Sequence, residues 1–75
     1  MSLQSIMDAT EGLYWSEWRF GEYVATGYET TYLIAKAASK YELWWRLPFW
    51  EESKKMRSDT AQEIIDKINE LEGIK

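Results

Sequence analysis

Cysteine and histidine are both missing from this chain of 75 residues; proline occurs once and glycine four times. Without cysteine there is no disulfide and no thiolate zinc site, and a reducing compartment suits the composition. Without histidine the commonest metal ligand and the usual general base are gone, so serine and threonine nucleophiles lack their customary partner. Four scattered glycines supply neither a Walker loop nor a dinucleotide fingerprint. Unbroken apolar runs reach only four residues, as in Tyr32–Ala35, far short of a membrane span. The N-terminus has no basic n-region ahead of an apolar segment, and no signal peptide is expected. Positive charge is also in deficit. A net charge of −4 and a pI near 4.7 argue against an electrostatic grip on duplex nucleic acid.

What the chain does have is aromatic surface, 16% of its residues, in a domain near the lower size limit for a self-sufficient core. Such a core usually leaves roughly 3–5 kcal/mol of net stability, and each buried ring removes on the order of 150–250 Å² from water. The rings are unevenly placed. All twelve lie at or before Trp50, and three of the five tryptophans fall within Trp44–Trp50. The last 25 residues carry twelve charges and an aliphatic set, Ala61, Ile64, Ile65, Ile68 and Leu71. The first part therefore has strand chemistry and the second has helix chemistry.

One domain spanning 1–75 is expected, with 1–12 as a flexible or partly helical N-terminal arm: Leu3, Ile6 and Met7 have helical spacing ahead of Gly12. Residues 13–25 read as a strand, with Trp18, Phe20 and Val24 on one side and Glu17, Arg19 and Tyr23 on the other. Gly21 marks a bulge in it, or a break between two short strands. A second strand is predicted at 30–38, although Ala35-Lys36-Ala37-Ala38 favours helix. A third follows at 41–47, alternating Tyr41, Leu43, Trp45 and Leu47 against Glu42, Trp44 and Arg46, and Pro48 ends it. A short edge strand is placed near 54–57. The safest element is an amphipathic helix at 59–72. Ser58, Asp59 and Thr60 can cap it, Gln62 and Glu63 stand at capping-box spacing, Glu63 can pair with Lys67, and Gly73 closes the end. The fold class is α+β, an antiparallel sheet of three or four strands with that helix packed over Tyr41, Leu43, Trp45 and Leu47. The alternative is an all-α three-helix fold in which 29–47 is one helix and Trp44 is interior.

No catalytic constellation emerges. Adjacent Glu51 and Glu52 in a charged connection read as solvated surface, so no catalytic, cofactor or metal residue is assigned and an enzyme is not expected. One helix covers one sheet face, which leaves rings on the other. Trp44, Arg46 and Glu42 belong to that face, joined by Trp18 and by a rim of Phe49 and Trp50 beyond Pro48. Trp, Tyr and Arg dominate binding hot spots, and a contiguous apolar patch marks an interface. The expected function is a small cytoplasmic protein-binding module or inhibitor, of the kind phages and mobile elements direct at host machinery. Its partner is another protein or a second copy in a homodimer. A competing account has residues 1–12 fold over the same face. The alternative function is single-strand nucleic-acid binding, with rings stacking bases and Lys54, Lys55 and Arg57 holding phosphates; the acidic total weighs against it. Membrane association lacks a basic amphipathic helix.

Overall fold

A computed structural model describes residues 3–47 and 52–73. Seven elements follow in chain order: α1 (Leu3–Ala9), β1 (Ser16–Arg19), β2 (Glu22–Thr26), β3 (Thr31–Ala37), β4 (Lys40–Arg46), β5 (Lys54–Ser58) and α2 (Ala61–Glu72). The strands form one antiparallel sheet in sequence order, so every neighbour along the chain is a neighbour in space. The fold is α+β, as the patterning predicts. The all-helical alternative is excluded, because 29–47 contains β3 and β4. Four helix-favouring residues at 35–38 are too few to nucleate a helix against β-branched and aromatic neighbours on both sides.

The strand count is five rather than three or four. The segment 13–25 is not one strand but a hairpin, because Phe20 and Gly21 turn the chain between β1 and β2. Gly21 takes φ 79 there, a left-handed conformation that costs a side-chain-bearing residue dearly and glycine almost nothing. The stretch near 54–57 is a full edge strand, paired with β4 from Tyr41↔Ser58 to Trp45↔Lys54. Between β3 and β4 the turn falls on Ala38 and Ser39. Ala38 adopts φ 55, at a cost of about 1–2 kcal/mol for an L-residue. The seven cross-strand pairs of β3 and β4, Thr31↔Arg46 through Ala37↔Lys40, hold it there.

Alternation along these strands decides what is inside. Tyr32 and Ile34 of β3, and Tyr41, Leu43 and Trp45 of β4, point to one face and are buried with Ala61, Ile64, Ile65 and Ile68 of α2. Leu47, expected beneath the helix, lies one residue past the end of β4 and is half-buried. The N-terminal arm is helical over Leu3–Ala9 and buries Ile6 completely in the same core, against α2 and β3. Residues 3–9 therefore do not fold over the opposite face. Just past α1 the buried Thr10 donates its hydroxyl to the Ile6 carbonyl and accepts the Trp15 indole N–H at 3.0 Å.

The terminal helix starts at Ala61, two residues later than its sequence signals suggest. Thr60 is the extended residue before it and makes no side-chain cap, so the capping box does not form. Instead the buried Ser58 hydroxyl accepts the Thr60 N–H at 3.1 Å, which ties the end of β5 to the helix start. Gly73 ends α2 in the left-handed conformation, its N–H bonded to the Asn69 and Glu70 carbonyls. Lys67 pairs with Glu70 at 2.8 Å rather than with Glu63.

The far end of α2 is clasped to the β2–β3 turn. The Glu72 carboxylate accepts the Tyr28 N–H at 3.0 Å and the hydroxyl of Tyr32, a residue with no exposed surface. It sits directly over Gly27, where a Cβ would overlap it. Burial, then the bond to Glu72, pushes the Tyr32 phenol well above its ordinary value.

Candidate binding face on the open side of the sheet

The face opposite the helices is built from the other half of each strand's alternation. Three cross-strand rows cross it. The central row runs Ser16, Val24, Leu33, Trp44, Lys55. On one side lies Arg19, Glu22, Ala35, Glu42, Arg57; on the other, Thr26, Thr31, Arg46. Trp18 occupies a bulge between Glu17 and Arg19, where one strand residue has no partner. Its ring is half exposed and joins Val24, Leu33, Trp44 and Arg46 in lining a groove of about 620 Å³, with Thr31 and Ser53 at its margin. Val24 and Leu33 form the floor, and Trp18 and Trp44 the walls.

Of the candidate residues read from the sequence, the structure brings Trp44, Arg46, Trp18 and Glu42 onto this one face. Phe49 and Trp50 lie outside the described residues. Phe20, grouped with Trp18 by period, stands fully exposed at the hairpin tip. The basic trio is divided by alternation: Lys55 and Arg57 share the open face, while Lys54 pairs with Trp45 and faces the helix side. Leu33 and Thr31 were not singled out from the sequence. Their signal was the burial parity of β3, since Tyr32 and Ile34 inward force Leu33 and Thr31 outward.

Electrostatics on the face are specific. The Arg19 guanidinium carbon sits 4.2 Å from the Trp18 ring centroid, and the Lys55 Nζ 5.4 Å from that of Trp44. Each wall ring thus carries a cation at an exposed site, worth about 0.5–1 kcal/mol. The Glu42 carboxylate is almost wholly buried and accepts the Arg57 Nε–H at 2.7 Å. At one end Lys40 pairs with Asp59 at 2.7 Å, both well exposed. Apart from that pair, the register places four cations (Arg19, Arg46, Lys55, Arg57) against two carboxylates (Glu22, Glu42). Among the described strand residues of this face cations thus outnumber carboxylates, in a chain of net charge −4.

Both sheet edges carry features that discourage strand addition. β1 is short and bulged, with Glu17 and Arg19 beside the bulge, and β5 carries Lys54, Lys55 and Arg57. Among the described residues no group of three acidic side chains could hold a metal ion, and no helix is long and apolar enough to cross a membrane. The raised Tyr32 phenol belongs to the helix clasp and not to this face. The face offers apolar surface, two indoles and a charged rim. No protein-family model, curated protein or solved structure matches the chain.

Proposed function

We propose that this chain is a small non-enzymatic binding module that engages a protein partner through the open face of its sheet. The observation that carries the reading is the groove between Trp18 and Trp44, floored by Val24 and Leu33 on the face away from both helices. Apolar surface flanked by Trp and Arg is the composition of interface centres, and a small domain rarely leaves it exposed without use. A partner covering the groove would desolvate both indoles while Arg57 and Arg46 form the polar rim. Binding of this kind inhibits a target by occlusion, and the absence of cysteine favours action in the cytoplasm.

The test compares capture by immobilised wild-type protein and by Trp44→Ala and Trp18→Ala variants from an extract of the source cell, with sedimentation of the pure protein alongside. The expected result is a protein retained by the wild type and lost from both variants, whose melting curves stay cooperative. Identical capture by all three would overturn the reading. A self-associating wild type and monomeric variants would make the partner a second copy.

A second reading has one observation in its favour. Lys55 beside Trp44, with Arg57 on the same strand face, places cations next to a ring as single-stranded nucleic acid binding needs. Salt-sensitive quenching of tryptophan fluorescence by oligothymidylate, lost in Lys55→Glu/Arg57→Glu, would establish it; no quenching at low salt removes it.

A further inference from the structure

We infer that the segment seated in the groove is acidic, an apolar or aromatic anchor flanked by carboxylates. This rests on the protein-binding reading above and adds the chemistry of what is bound. The argument is charge complementarity. Among the described strand residues the open face carries four cations to two carboxylates, in a chain whose net charge is −4. An acidic partner meets repulsion over most of this molecule and attraction at one surface. Such a distribution raises the encounter rate and fixes the docking site more than it raises affinity.

The cations are also placed where a segment in the groove would meet them. Arg19 lies against one wall ring at 4.2 Å and Lys55 against the other at 5.4 Å, and Arg46 lines the groove itself. Trp18 is on β1 and Trp44 on β4, three strand spacings apart, or about 14 Å at roughly 4.8 Å each. That width admits a single helix of about 10–12 Å or an extended segment, and not a second sheet. A nucleic-acid strand fits less well. It needs cations along a continuous track for its phosphates, whereas Lys54 is turned to the other face and Glu22 and Glu42 lie beside the central row.

The experiment titrates the intrinsic tryptophan fluorescence of the full chain with three probes at low salt. They are a short amphipathic peptide of leucine and glutamate, its leucine–lysine counterpart of equal length, and an oligothymidylate. The expected result is binding of the acidic peptide at least about tenfold tighter than the basic one, with the difference shrinking as salt rises. In Arg19→Glu/Lys55→Glu the preference should invert, while Lys36→Glu on the helix-covered face leaves it in place. Equal or tighter binding of the basic peptide overturns the inference. So does tighter binding of oligothymidylate, which makes a nucleic acid the occupant. Self-association of the wild type that is lost in the double variant overturns it in favour of a second copy. Absence of acidic-peptide binding, with capture from extract still dependent on Trp44, removes the charge argument and leaves the protein-binding reading standing; capture indifferent to Trp44 removes that reading itself.

Discussion

Trp44 and Trp45 are adjacent in sequence and, by strand alternation, on opposite sides of the sheet, so truncating each to alanine should have very different consequences. Trp45 is buried in the core with Tyr32, Leu43 and Ile68, and Lys67 lies over its ring at 5.2 Å. Removing a buried tryptophan costs about 3–5 kcal/mol through lost transfer energy and the cavity left behind. That equals the roughly 3–5 kcal/mol a core of this size supplies in total. Trp45→Ala should therefore be largely unfolded at room temperature. Trp44 is half-buried, pairs across the sheet with Leu33 and Lys55, and holds one cation contact. The cross-strand pair with Leu33 at about 0.2–1 kcal/mol and the contact with Lys55 at about 0.5–1 give a loss of about 1–2 kcal/mol. Trp44→Ala should remain cooperatively folded, with a lowered melting temperature, and should lose partner binding. Far-ultraviolet circular dichroism during heating, with urea unfolding as a second measure, distinguishes the two variants. Equal loss of stability in both, or a folded Trp45→Ala beside an unfolded Trp44→Ala, would refute the assignment of faces and the binding site with it.

Three further outcomes follow from the packing. Tyr32→Phe removes the hydroxyl donated to Glu72, a charge-assisted bond worth about 1.5–3 kcal/mol, and thermal melts should show that loss. Because the folded state raises the Tyr32 phenol above its unfolded value of about 10, its contribution is fully present below that pH and declines as pH rises beyond it. Wild type should accordingly lose stability above about pH 10 by a component that Tyr32→Phe lacks, measured by urea unfolding against pH. Gly27→Ala should destabilise by expelling the Glu72 carboxylate and should be nearly neutral in a Glu72→Ala background; a double-mutant cycle showing simple additivity would contradict the clasp. Arg57→Ala should cost more than Lys40→Ala, about 1–3 against 0.2–1 kcal/mol, because it strands the buried Glu42 carboxylate whereas Lys40 and Asp59 are both exposed.

Local rules carried much of this architecture. The five-residue apolar stripe of α2, Gly73 at its end and the strict alternation of 41–46 were each readable, since helix and strand periods are properties of a single segment. Alternation alone also separated Trp44 from Trp45. Where local signals conflicted, at 30–38 and at 59–60, the outcome depended on partners. β3 is a strand because β2 and β4 pair with it on both sides, and α2 starts at Ala61 because Ser58 is drawn into β5 and bonds the Thr60 N–H. Gly21 advertised an interruption, yet whether it was a bulge or a turn was decided by the register of β1 on β2.

By itself, then, the sequence determined the type of α2 and β4, the inward set on each, the absence of cysteine and histidine, and an overall negative charge. Only the tertiary structure decided that Ile6 closes the helix side, that the basic trio is split between faces, and that Val24 and Leu33 meet between two tryptophans. Only it gathered Arg19, Arg46, Lys55 and Arg57 onto one sheet face of a negative chain. The reason is physical: periodicity is encoded along one segment, whereas a face of a sheet is assembled across five, and its charge and shape exist only once the register is set.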